Sequence, residues 1–197
     1  MAEAGGADVL LHICCARCAT YPLPALRGAG REVLGFWHNP NIHPWSEHEA
    51  RRRSLVDYGR RVGLPVVWHA GFDMIGFLRL VAGREDRPDR CAVCYSLRLR
   101  AAAAEAACRS IPTFTTTLLV SPYQDRDLVL AAGREAAESA SVQFLAEDFR
   151  PGWAERSRLT REYGLYRQQY CGCIFSEFER YAKRNVGAAT SISYEDV

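Results

Sequence analysis

An α/β fold, with a mainly parallel five-stranded sheet flanked by helices and a helical C-terminal part, is what these 197 residues predict. Three observations lead there. Short apolar or β-branched runs alternate with longer segments of helical character, the pattern of parallel strands joined by crossover helices. A composition of 48% hydrophobic and 24% charged residues is that of a globular chain long enough to bury a core. No internal repeat, low-complexity tract or linker divides it. Residues 1–197 therefore read as a single domain, with 1–7 and 187–197 as loose termini.

The elements follow in order. "DVLLHI" is a short buried strand, and "TYPLPALRGAG" a helix ending at Gly28 or Gly30. "REVLGFWHN" is a second strand. "SEHEARRRSLVDYGRRVG" is a helix that Ser46 can cap, with Glu49 three residues on and Gly63 at its end. "LPVVWHA" is a third strand and "FDMIGFLRLVAG" a helix. "CAVCYSLRLRAAAAEAACRS" is a long, alanine-rich helix. "PTFTTTLL" supplies a β-branched fourth strand, "QDRDLVLAAGREAAESA" another helix, and "VQFLAEDF" a fifth strand. From Pro151 onward the chain is mainly helical.

The formal charge of +2 does not by itself argue for nucleic acid. Lys183 is the sole lysine, and the abundant arginine reflects either base composition or phosphate contact. The N-terminus has no positive region and too short an apolar run for a signal peptide, and no stretch is long enough to span a membrane. The expectation is a cytoplasmic protein. There, eight cysteines point to metal or redox chemistry rather than a disulfide framework.

In open α/β sheets ligands bind beyond the carboxyl ends of the strands. The first strand is followed by Cys14, Cys15 and Cys18, the second by His38, Asn39, Asn41 and His43, the third by His69. The fourth is followed by Ser121, Tyr123 and Asp125, the fifth by Asp148. Neither a dinucleotide loop nor a phosphate loop follows the first strand, where "CCARC" stands instead. The spacing CxxxCxxC is also absent.

Cys91 and Cys94 have CxxC spacing at a helix start, common to zinc, iron–sulfur and thioredoxin-like sites. With Cys14 and Cys15 they supply four thiolates, enough for zinc or a [4Fe–4S] cluster. The adjacent pair tilts the reading towards a cluster. Cys171 and Cys173 form CxC, either an easily reduced pair or two further ligands. Cys18 is a ligand, a reserve thiol or a packed cysteine. Cys108 reads as a buried small hydrophobe, His12 as core, and the run Arg51–Arg53 as a solvated face or a phosphate-facing stripe.

"LLHICCARC", "HNPNIHP", "RCAVCYSLRL", "FTTTLLVSP" and "EYGLYRQQYCGCIFS" together resemble the epoxyqueuosine reductases of the QueH type, from about Leu10 to Ser176. Arg17 stands where that family commonly has proline, and "SPYQD" varies its usual "SP-H" form. The resemblance implies the last step of queuosine biosynthesis in tRNA. There the epoxide of epoxyqueuosine becomes a cyclopentene, with two electrons and two protons consumed and water released. It implies Cys14, Cys15, Cys91 and Cys94 as ligands of a [4Fe–4S] cluster and Cys171 with Cys173 as a redox-active pair. A second iron ion is a further expectation. It also implies a fold resembling the tRNA-modifying ATPases (HUP-like) without their phosphate loop. The partners are a tRNA with a GUN-type anticodon and an electron donor the sequence does not identify.

His38, Asn39 and Tyr123 are the candidate substrate-binding residues, with His38, Tyr123 and Asp148 as candidate proton donors. Trp45, Tyr166 and Arg51–Arg53 are candidates for RNA contact. The rival readings are a structural-zinc RNA-binding protein, a general thiol–disulfide oxidoreductase using Cys171 and Cys173, and a tRNA sulfur-transfer enzyme. The missing phosphate loop counts against the last.

Overall fold

A computed structural model describes residues 6–185, with side chains to residue 182. The expectation of loose termini falls almost wholly outside the described residues. Five parallel strands form one sheet in the order β3-β2-β1-β4-β5. They are β1 (Val9–His12), β2 (Val33–Trp37), β3 (Val66–Trp68), β4 (Thr113–Thr116) and β5 (Gln143–Phe144). The registers Leu10↔Leu34 and Leu10↔Phe114 put β1 at the centre. β1, β2 and β4 are buried throughout, as strands covered on both faces should be. The edges β3 and β5 are partly exposed. The α/β class and its parallel sheet are as expected, and this strand order fits the implied HUP-like arrangement.

Eight helices are described: α1 (Ala16–Ala19), α2 (Pro22–Gly28), α3 (Trp45–Val62), α4 (Met74–Val81), α5 (Asp89–Cys108), α6 (Arg126–Ala140), α7 (Trp153–Glu162) and α8 (Ile174–Asn185). Several local details differ from expectation. Helix α3 starts at Trp45 with Pro44 in the capping position. Ser46 is thus already helical, and Glu49 binds Arg52 and Arg53 instead of closing a capping box. Gly63 ends the helix in the left-handed conformation, its N–H bonding to Gly59 O.

The fourth strand stops at Thr116, because Thr116 Oγ1 accepts the Leu118 N–H at 3.1 Å and caps a 3-10 turn over Thr117–Val120. β5 leaves the ladder before β4 ends: the Leu145 N–H still reaches Phe114 O at 2.9 Å, but Leu145 O accepts from the Thr115 side-chain hydroxyl at 2.8 Å. The strand is therefore two residues long.

Cys108 is exposed, against expectation. The buried stripe of α5 is Leu99, Ala102, Ala103 and Ala106, and a residue two positions past Ala106 faces away from it. The expected stripe of Arg51–Arg53 also divides: Arg51 is buried, while Arg52 and Arg53 share Glu49.

Candidate metal centre

The strand order reverses between β1 and β4, and the crevice beyond their carboxyl ends is where a parallel sheet of this kind binds ligands. The thiols gather there in two groups. Directly after β1, Cys15 caps α1, its Sγ accepting the Cys18 N–H at 3.3 Å. The short helix turns Cys18 back over Cys14 and Cys15, and the three sulfurs lie within 4.8 Å of one another. This trio can hold a metal ion.

Thr117, in the turn after β4, accepts the Cys14 N–H at 3.1 Å and donates its hydroxyl to Cys14 Sγ at 3.3 Å. Gln168 Nε2 donates to Cys15 Sγ at 3.1 Å. Burial, with the hydrogen bonds to Cys14 and Cys18, pushes the Cys15 thiol well up. The Cys18 thiol moves well down, held by hydrogen bonds from Cys14 and Cys15 and then by the charges of Arg156 and Arg51. Three anions cannot share this space, so the trio settles into one favoured thiolate with protonated neighbours.

The second group is a buried cleft. Cys91 and Cys94 enter it from the first two turns of α5, Cys171 and Cys173 from the segment before α8. Burial raises the Cys94 thiol to about 12 in the absence of metal. The Cys-Gly-Cys backbone is tied down on three sides. Arg51 donates to Cys171 O at 2.9 Å and to Tyr170 O at 3.1 Å; His43 N donates to Gly172 O at 2.8 Å; Gly172 N donates to Ser176 Oγ at 3.1 Å. Gly172 has φ 155°, and a Cβ there would lie 3.1 Å from Asn41 Nδ2. Glycine is therefore the residue this turn requires.

The four predicted cluster ligands thus enter as two pairs. Cys14 and Cys15 keep company with Cys18, and Cys91 and Cys94 with the CxC pair. The buried guanidinium of Arg98 is common to both groups. Burial opposes its charge, but Cys94, Cys171 and Cys14 together hold its pKa above the ordinary arginine value. An all-sulfur donor set with a buried cation beside it fits a thiolate-bound metal centre.

The "HNPNIHP" segment serves mainly as the floor. Asn39, 2% exposed, donates to Ile13 O at 2.9 Å and so fixes the end of β1. His43, fully buried, bonds Pro40 O through Nε2 at 2.9 Å, and its own carbonyl accepts Tyr170 OH at 2.6 Å. His38 is half-buried with its ring centroid 4.3 Å from that of His69; burial, then His69 and Arg98, lower it to about 4. His12 is core, as expected. Burial and then Arg98 keep it neutral, with a pKa of about 3, so Nε2–H donates to His38 O at 3.3 Å and Nδ1 accepts from Thr116 Oγ1 at 2.9 Å.

Tyr123 is 75% exposed beside the cleft, edge-on to Trp153 at 5.6 Å, and its neighbour Gln124 donates to Cys171 Sγ at 3.5 Å. Arg156 lies 3.6 Å over the Trp153 ring. Asp148 is bound by Arg150 at 2.6 Å, which lowers its carboxyl to about 2 and leaves it ionised rather than ready to give a proton. Tyr166 donates to Glu47, the partner of buried Arg51, so both belong to the scaffold of the CxC loop rather than to a phosphate stripe. Trp45 remains exposed, stacked on His48. Sequence reasoning missed Thr117, Gln124, Gln168, Arg98 and Arg156. The stretch "YRQQYCGC" does put polar side chains next to the CxC pair, but nothing in it says that Gln168 turns to Cys15.

A family model described as epoxyqueuosine reductase QueH matches residues 9–179. The chain belongs to the QueH family. Among similar QueH proteins, that of Dehalococcoides mccartyi is 33% identical over 177 residues, 90% of this chain and 96% of the relative. That of Thermotoga maritima is 35% identical over 182 residues, 89% of this chain and 93% of the relative. That of Histophilus somni is 30% identical over 178 residues, covering 87% and 73%. Each is named epoxyqueuosine reductase QueH. The QueH match spans every element that carries a clustered thiol, from β1 to the start of α8. No helix among the described residues is long and apolar enough to cross a membrane.

Proposed function

We propose that this protein reduces epoxyqueuosine to queuosine in the anticodon loop of tRNA. QueH membership supports an oxidoreductase of the queuosine pathway. The observation that carries the chemistry is a pair of thiol groups, a trio directly after β1 and a quartet lining one cleft, with the buried Arg98 guanidinium common to both. The reaction takes two electrons and two protons, opens the epoxide, forms the ring alkene and releases water.

Cys14, Cys15, Cys91 and Cys94 are the residues we assign to a [4Fe–4S] cluster. When bound, it supplies single-electron transfer and, where an iron site is open, Lewis acidity towards oxygen. Cys18, next to both members of the first pair, is available to a second iron ion. Cys171 and Cys173 form the redox pair: as a dithiol they hold the two electrons the reaction needs, and they lie beside Cys91 and Cys94. Gln124 bridges Cys171 and the Tyr95 hydroxyl, at 3.5 and 2.9 Å, and so orients the thiol. Thr117 and Gln168 restrain Cys14 and Cys15 in the same way.

Substrate access runs past exposed Tyr123, which half-buried Trp153 backs and on whose ring a splayed base of an anticodon loop can stack. His38 is our preferred proton-relaying group: its imidazole is neutral, with one N–H to give and one nitrogen to accept. It is half-buried at the end of β2, and its partner His69 is exposed to solvent. Asn39 acts by shaping this edge. The substrate is a tRNA with a GUN-type anticodon, the electrons come from a cellular donor, and the setting is the cytoplasm.

The experiment is anaerobic purification, with iron, acid-labile sulfide and zinc measured. Epoxyqueuosine-containing tRNA is then incubated with the reduced protein, and its nucleosides are weighed by mass spectrometry. Iron and sulfide in about equal amounts, with iron in excess where the second ion is held, and a nucleoside lighter by one oxygen are expected. Stoichiometric zinc without sulfide, and an unchanged nucleoside, would overturn the reading in favour of a structural-zinc RNA-binding protein.

A further inference from the structure

Four arginines are nearly or wholly inaccessible among the described residues: Arg51, Arg90, Arg98 and Arg156, none more than 2% exposed. Arg51 has Glu47 at 2.7 Å, and Arg90 has Glu179. Arg98 pairs with no carboxylate among the described residues. Its Nε donates to the Cys94 carbonyl of its own helix at 3.1 Å, and its Nη2 has no hydrogen-bond partner there. An unpaired buried cation costs several kcal/mol, and an arginine cannot escape by losing its proton. Something else must carry the compensating charge.

The position of Arg98 says what that is. On α5 the residues Cys91, Cys94 and Arg98 follow one another at spacings of three and four, which puts them on one helix face. Arg98 lines the same cleft as Cys91, Cys94, Cys171 and Cys173. Neutral thiols would leave the guanidinium uncompensated. Metal-bound thiolates would not.

We propose that Arg98 is the fixed counter-charge of the thiolate-bound metal centre in this cleft, and that it raises the reduction potential of that centre. The inference rests on the reading that these thiols hold metal. Each ligand thiolate brings one negative charge, and one-electron reduction adds another. A guanidinium held in a dry cleft stabilises the more negative state more strongly, so it favours the reduced form. The orphaned Nη2 is a donor ready for a cluster or ligand sulfur.

The test compares wild type, Arg98→Gln and Arg98→Lys, reconstituted anaerobically and titrated redox-wise by visible absorbance. Arg98→Gln keeps a donor without charge; Arg98→Lys keeps the charge without the fork. The glutamine variant is expected to be about tenfold harder to reduce at a given potential, a shift of about 60 mV downward for one electron. The lysine variant should recover most of that. Arg100→Gln, two residues past Arg98 and so on the opposite side of α5, 58% exposed in its side chain, should leave the potential unchanged. Equal shifts in the glutamine and lysine variants, or none in either, would overturn the inference.

Should the purified protein hold zinc and no sulfide, the cluster reading fails but the counter-charge is still read. Zinc affinity by chelator competition must then fall about tenfold in Arg98→Gln and recover in Arg98→Lys, and equal affinities would sink it.

Discussion

Gln168 Nε2 lies 3.1 Å from Cys15 Sγ, joining the segment before α8 to the first turn after β1 across more than 150 residues of chain. The same segment carries Cys171, whose sulfur is touched by Gln124 from the loop after β4. Each thiol group is therefore held by a side-chain amide from a distant element. Gln168→Leu keeps the bulk and removes the donor. It is expected to keep the fold, lower the iron bound per chain by severalfold after reconstitution, and leave the thermal transition within a few degrees of wild type. Equal iron in both proteins would show that the contact is incidental.

Thr117 makes two bonds to one residue, at 3.1 Å to Cys14 N and 3.3 Å to Cys14 Sγ. Thr117→Val preserves the shape, and it leaves the Cys14 N–H without its acceptor. The metal-free protein should lose about 1–2 kcal/mol of stability, visible as a lower denaturant midpoint with an unchanged slope.

The turn of the CxC pair depends on Gly172. Gly172→Ala puts a methyl 3.1 Å from Asn41 Nδ2 at a φ of 155°, which non-glycine residues rarely adopt. We expect activity to fall at least tenfold while the far-ultraviolet circular dichroism stays the same. Cys171→Ser and Cys173→Ser should abolish turnover. Cys108→Ser, exposed at the end of α5, should have no effect on iron content or rate.

Acid should destabilise the metal-free protein before any carboxylate titrates. His38 is lowered to about 4 in the folded state, by burial first, against about 6.5 unfolded. Between these values the unfolded chain binds the proton that the folded chain refuses. Stability is therefore complete above about pH 6.5 and declines as pH falls towards 4. At pH 5 this one group accounts for roughly 1–2 kcal/mol. Denaturant midpoints at pH 5 and pH 7 should differ clearly in wild type and less in His38→Gln; an equal difference would assign the acid sensitivity elsewhere.

Tyr123 is exposed, and the described structure gives it an edge contact with Trp153 at 5.6 Å. Tyr123→Ala should leave iron content and melting temperature alone and raise KM for tRNA by roughly tenfold or more, the worth of about one stacked base. Tyr123→Phe should restore it. A fall in kcat with KM unchanged would move Tyr123 from binding to chemistry.

Much of this was readable from local patterns. Apolar runs such as Val9–His12 and Val33–Trp37 have few alternatives to a buried parallel strand, and the period of α5 announces itself over twenty residues. The thiol motifs, their order and their place after strands came from spacing alone, because a strand end and a helix start are local events. What no window of the chain could reveal is company. That Cys91 and Cys94 face the CxC pair, that Arg51 ties down that pair's carbonyls, and that Arg98 is left without a carboxylate all depend on which helix faces reach the crevice beyond β1 and β4. The ends of β4 and β5 were misjudged for a related reason: β propensity favours Thr117 and Leu118 in a strand, but a hydroxyl cap at Thr116 turns the chain, and the Thr115 hydroxyl takes the Leu145 carbonyl where β5 would have continued. Side-chain chemistry is written in the sequence one residue at a time. The charge balance of a buried site is a sum over neighbours, and folding chooses the neighbours.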